Sequence, residues 1–124
     1  GQSFVEFRAG FREFARVALA SGNWVVWVAE REERLVANLW VQLIPKVPRP
    51  GHFGKCYGYV TNVYTQPDFR GQGIGSRLLK RMIDGARDQG LQFLIVWPSE
   101  ESVSFYQRAG FHPSSDALEL HFDV

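Results

Sequence analysis

The chain has 124 residues, of which 45% are hydrophobic, 15% aromatic and 22% charged. That is the size and composition of one folded domain, and it excludes an intrinsically disordered segment, which is poor in aromatics. Fourteen Lys and Arg against thirteen Asp and Glu leave a formal charge of +1, so no global basic field points to nucleic acid, and the single cysteine, Cys56, excludes a disulfide framework or a cysteine-only metal site.

The N-terminus has no basic region followed by an apolar run, so no signal peptide is expected. The longest apolar run, 24–29, is far short of the ~20 residues that span a bilayer. The expectation is one soluble, cytoplasmic domain over 1–124, with no membrane partner. Residues 3–20 carry Phe4, Phe7, Phe11, Phe14, Ala15 and Ala18 at helical spacing, with Gly10 as a possible break. Ser21-Gly22-Asn23 ends that helix. Residues 24–30 and 35–44 read as two strands of a hairpin around a charged turn at 31–34.

Three prolines and two glycines make 45–56 a loop, long enough to hint at function. A third strand is expected over 57–65. Ile74, Leu78, Leu79, Met82, Ile83 and Ala86 then predict an amphipathic helix that ends near Gly90. Residues 91–97 have the length and apolarity of a strand. Pro98-Ser99-Glu100-Glu101 reads as the start of a helix that runs to Ala109, with Ser99 as the cap and the glutamates at the positive end of the dipole. Leu118, Leu120 and Phe122 alternate with Glu119, His121 and Asp123, which predicts a last, half-exposed strand over 117–123. Trp24, Trp27, Trp40 and Trp97 fall on predicted strands, so core packing is expected of them rather than base stacking. The order is that of a mixed α/β (α+β) domain with one sheet.

One segment carries chemistry. The third strand runs through Thr61-Asn62-Val63-Tyr64-Thr65 into Arg70-Gly71-Gln72-Gly73-Ile74-Gly75-Ser76, where a glycine loop opens a helix. The first helical N–H groups have no internal partners and glycines let a ligand approach the backbone, so the turn suits a phosphate or pyrophosphate. The spacing G-x-G-x-G is not the dinucleotide G-x-G-x-x-G, and no Gly-Lys-Ser/Thr makes it a Walker A loop. An ordinary glycine-rich turn is the plain alternative.

Arg70-Gly71-Gln72-Gly73-Ile74-Gly75 resembles the acetyl-CoA pyrophosphate loop of the GNAT superfamily of N-acetyltransferases, Q/R-x-x-G-x-G/A. Phe105-Tyr106-Gln107-Arg108-Ala109-Gly110-Phe111 resembles the family's F/L-Y-x-x-x-G-F helix end, and the two blocks lie in the family's order. The resemblance covers about 23–123. It implies a mixed, mostly antiparallel central sheet flanked by helices, and a first strand before position 24 that is missing here. An N-terminally shortened chain, or an open sheet edge that pairs in a homodimer, is the corresponding expectation.

By the same resemblance, the backbone of Val63, Tyr64 and Thr65 faces the pantetheine arm and the thioester. The amides of Arg70, Gly71, Gln72, Gly73, Ile74, Gly75 and Ser76 hold the pyrophosphate of acetyl-CoA. Tyr106 is the candidate general acid. Ser99 stands where many relatives have an Asn that contacts CoA. The implied reaction is direct transfer of acetyl to a primary amine of a small molecule or peptide, with no metal and no nucleic acid. Some relatives carry a Glu upstream on the third strand; here the stretch is Tyr57-Gly58-Tyr59-Val60, so no base is identified. Asn62 could orient a water, and Glu30, His52 and Glu101 are candidates by type only. The alternative from another class is a domain that binds CoA or acetyl-CoA without turnover, as a sensor or partner-binding module.

Overall fold

The computed structural model describes residues 4–48, 50–51, 56–114 and 116–122. Its elements are α1 (Phe4–Ser21), β1 (Trp24–Arg31), β2 (Arg34–Pro45), β3 (Cys56–Thr65), α2 (Ile74–Asp88), β4 (Leu94–Ile95) and α3 (Val103–Arg108), with 3-10 turns at Pro67–Phe69 and Glu100–Ser102. The sheet order is β1-β2-β3-β4. The first two pairings are antiparallel and the last is parallel, as the α2 crossover between β3 and β4 requires.

β2 is the spine. Val36, Ala37, Leu39, Trp40 and Val41 are all buried, because both faces of this strand are covered. On one face α2 lays Ile74, Leu78, Leu79, Met82 and Ala86 against Leu39, Val41 and Val60. The helix needs no side chain at Gly85, where a Cβ would come within 2.7 Å of the Trp27 ring. On the other face Phe11 and Phe14 of α1 pack on Trp24 and Trp40, with ring centroids 5.5–5.8 Å apart. The β1–β2 turn is a two-residue type I′ loop closed by Arg31 and Arg34, and both central residues, Glu32 (φ 53) and Glu33 (φ 62), are left-handed.

Several sequence expectations change. Gly10 does not break α1, which runs as one helix. The strand expected over 91–97 shrinks to two residues. The Leu91 N–H closes α2 by donating to Ala86 O, and only Gly58 and Tyr59 face partners on β4. The helix expected from Ser99 starts as a 3-10 turn, and its α-helical part is six residues long. The Ser99 side chain caps nothing; its hydroxyl pairs with the Ser102 hydroxyl at 3.0 Å. Residues 117–122 form no strand, and Leu118 is 98% exposed, because the alternating pattern has no sheet edge beside it. Trp40 is core, but Trp97 lies past β4 and is 60% exposed. His52 lies outside the described residues. Among the described residues, no helix is long and apolar enough to cross a membrane.

Candidate active site

The site begins where β3 loses its second neighbour. β3 pairs with β2 along its length, up to Thr65 opposite Ala37. On its other side only Gly58 and Tyr59 meet β4, opposite Leu94 and Ile95. From Val60 onward that edge is open. The register between β2 and β3 also slips: Trp40 pairs with Thr61, yet Asn38 pairs with Tyr64. β3 therefore holds one extra residue, a bulge, and Asn62 within it is left-handed at φ 53. Asn tolerates that conformation better than the β-branched residues around it. The Asn62 side-chain N–H donates to Asn38 Oδ1 at 3.5 Å across the break.

After β3 the chain is tied down and then released. Gln66 fastens the loop to β2: its N–H donates to Val36 O at 2.8 Å and its side-chain amide to Leu35 O at 3.0 Å. Arg70 folds back, donating Nε–H to Thr65 O at 2.8 Å, with its guanidinium 5.5 Å from the Tyr64 ring. The Gln72 side-chain oxygen accepts from Arg31, which links the loop to the end of β1. Gly71 (φ 78) and Gly73 (φ 76) both take the left-handed turn that glycine allows.

Gly73 is the N-cap of α2 and has no side chain to cap it, and no acidic residue lies in the first turn. The first amides of a 15-residue helix therefore point outward beside Arg77. Three elements converge at Gly75: a Cβ there would make ordinary contact with Thr65 Oγ1 at 3.5 Å and the Phe105 ring at 3.7 Å. Behind the loop, a cleft of about 300 Å³ between β1 and α2 is lined by Arg31, Arg77 and Arg81, with Glu30 opposing them.

Tyr106 stands on the third side. It is 7% exposed, and its ring packs edge-on against Phe105 and Phe111 at 5.1 and 5.5 Å. Burial pushes the Tyr106 phenol above its ordinary pKa, and the Tyr59 phenol adds to the effect. Tyr106 is thus held protonated, and it sits within electrostatic range of the last residue of β3 that pairs with β4. Among the described residues its hydroxyl makes no hydrogen bond, and it is not sealed from solvent.

The fold thus brings Val63, Tyr64 and Thr65, the loop from Arg70 to Ser76, and α3 to one end of the sheet. Ser99 is nearby in sequence but spends its hydroxyl on Ser102. Glu30 and Glu101 are exposed, on the β1 end and in the Glu100–Ser102 turn. No carboxylate lies on β3. Among the described residues, no group of three or more His, Cys, Asp or Glu could hold a metal. Sequence reasoning missed Tyr59, whose only local signal is its alternation with Tyr57 on a strand, and it missed the bulge, whose signal is Asn62 amid β-formers.

This arrangement has counterparts. A family model described as an acetyltransferase (GNAT) domain matches residues 22–113. A glucosamine 6-phosphate N-acetyltransferase from Trypanosoma brucei brucei is 29% identical over 70% of this chain, which spans 57% of that protein's length. A rice protein of the same name is 28% identical over 94% of this chain and 68% of its own length. Among solved structures, a protein described as a predicted acetyltransferase from Clostridium acetobutylicum, with acetyl-CoA, superimposes with a TM-score of 0.76 at 25% identity, covering 98% of this chain and 79% of that one. A GCN5-related N-acetyltransferase from Ralstonia eutropha gives 0.74 at 26% identity, over 98% and 82%.

Proposed function

The chain belongs to the acetyltransferase (GNAT) family, and from that premise we propose that it transfers acetyl from acetyl-CoA to a primary amine. The observation that carries this reading is the uncapped start of α2 behind Gly71 and Gly73, set beside the open edge of β3 and the protonated Tyr106. The amides from Arg70 to Ser76 would hold the pyrophosphate, helped by the positive end of the helix. The edge of β3 at Val63, Tyr64 and Thr65, where Thr65 O already accepts from Arg70, offers its remaining backbone groups to an amide-bearing arm, as an unpaired strand edge does to any extended partner.

Acetyl-CoA supplies the acetyl group as a thioester. The amine nitrogen attacks the carbonyl carbon with its lone pair, the C–S bond breaks, and sulfur leaves with the electron pair. Backbone N–H at the bulge can stabilise the charge that develops on the carbonyl oxygen. Tyr106 gives its hydroxyl proton to sulfur and regains one from the amine through solvent. A lysine-like amine is about one part in 2,500 neutral near neutral pH, so the acceptor's own deprotonation limits the rate unless a base is recruited.

The second reading is CoA binding without turnover, favoured by the absence of a carboxylate on β3 and by the engaged Ser99. An assay of thiol release from acetyl-CoA across an amine panel decides between them. Transfer should occur with at least one amine and fall about a hundredfold in Tyr106→Phe, within the usual range for a lost general acid. Release that matches Tyr106→Phe with every amine would end the enzyme reading. A cytoplasmic setting fits a chain with one unpaired thiol, Cys56. Pairing of a second copy along the free edge of β1 completes the proposal.

A further inference from the structure

Resting on the transferase reading, we infer that the acceptor is a primary amine with an aromatic or apolar body, selected by an aromatic wall on the sheet face opposite α2. The face that carries α2 is closed at the open edge of β3. Ile74, Leu78, Tyr106 and Val60 belong to one buried cluster there, with Phe105 packed against it. An amine must therefore reach the thioester from the other face. Cross-strand pairing defines that face: Trp24, Gln42, Tyr59 and Ile95 form one row across all four strands.

Among the described side chains, α1 covers the β1–β2 end of the row, through Phe11 and Phe14 on Trp24 and Trp40. The β3–β4 end is bare of described helix. There Trp97 stands edge-on to Tyr59 at 5.0 Å, and Phe93 stacks on Tyr57 at 4.7 Å. Trp97 is 60% exposed and Phe93 46%. Tyr59 carries the wall to the edge of β3, since it is the last β3 residue paired with β4 before that edge opens at Val60, and its phenol perturbs Tyr106.

The strand residues of this wall carry no charge. Lys46 Nζ lies 5.7 Å from the Phe93 ring, at the hairpin end away from the open edge. A phosphorylated or carboxylated amine would set its anion against the rings of Trp97 and Tyr59 and forgo their apolar contact, which is costly unless Lys46 or Arg70 reaches it. A ring or apolar chain would gain contact area and edge-to-face geometry with Trp97 and Tyr59. Gln42, half-buried in the same row, is the polar group left to orient the substrate.

The test compares three amines with the same two-carbon spacing: phenethylamine, n-propylamine and phosphoethanolamine. Each is assayed by thiol release from acetyl-CoA on the full chain, with kcat/KM expressed per neutral amine. Phenethylamine should exceed the other two by roughly tenfold or more, the scale of one good aromatic contact. In Trp97→Ala the ratio of phenethylamine to n-propylamine should collapse toward one, through KM, and Trp97→Phe should restore most of it. Trp97 is exposed enough that both variants should keep the fold. A wild-type preference for phosphoethanolamine, or an unchanged ratio in Trp97→Ala, overturns the acceptor assignment while leaving the transferase reading intact. Turnover of none of the three, nor of any amine in the wider panel, overturns the transferase reading and the acceptor assignment with it.

Discussion

At Tyr106 the proposed chemistry and the stability of the fold depend on the same proton. Its folded pKa lies above the ordinary value of 10.0. Below that value the folded and unfolded states both carry the proton, and no stability is lost. Above it the unfolded chain ionises first, so stability falls as pH climbs toward the folded value. Urea midpoints should therefore drop between neutral pH and about pH 11 in the wild type, and drop less in Tyr106→Phe. Equal slopes in the two proteins would show that Tyr106 ionises freely in the fold. Gly58 is critical for a different reason. A Cβ there would sit 2.8 Å from Leu94 Cδ2 and 2.9 Å from Val41 Cγ1. Both neighbours are packed, so Gly58→Ala should cost about 1–3 kcal/mol, as overpacking does, and should loosen the short β3–β4 junction. Denaturant unfolding measures the loss; a variant as stable as wild type would mean that β4 moves aside freely.

Single elements differ in how far the sequence announced them. β1, β2, β3 and α2 were legible because their signals are local: β-branched and aromatic runs broken by turn residues, then a clean apolar stripe at Ile74, Leu78, Leu79, Met82 and Ala86. β4 was not, because its length depends on where β3 stops offering a partner, and the bulge at Asn62 lies outside its own sequence. Leu118, Leu120 and Phe122 carry a strand's alternation without a strand, since alternation says which face would be buried but not whether anything covers it. The glycine loop and the helix end at Tyr106 were legible as motifs; the coupling of Tyr106 to Tyr59 was not, because it joins residues 47 positions apart. The turn at Glu32 and Glu33 was read only as charged. Both glutamates are left-handed there, at about 1–2 kcal/mol each for a residue with a Cβ. Glu33→Gly should relieve that strain and, after the entropy lost by a more flexible unfolded chain, stabilise the protein by ~0.5–1 kcal/mol. A lower thermal midpoint in the variant would contradict the type I′ assignment.

Across the whole molecule, stability is concentrated on one side of the sheet. β1, β2 and β3 share long antiparallel ladders and the buried cluster around Leu39, Leu79 and Met82. β4 adds two pairs, and α3 six helical residues. That two-pair junction predicts a gradient in amide hydrogen exchange. Leu94, Ile95 and the amides of α3 should exchange orders of magnitude faster than those of Leu39 and Val41, because they can open without disturbing the core. Uniform protection across the four strands would show instead that the sheet opens only as one unit. If the gradient is present, Tyr106 and the aromatic wall ride on the part of the domain that unfolds first. Local opening would then pull the proposed proton donor and acceptor face away from the glycine loop together, leaving that loop and the start of α2 in place.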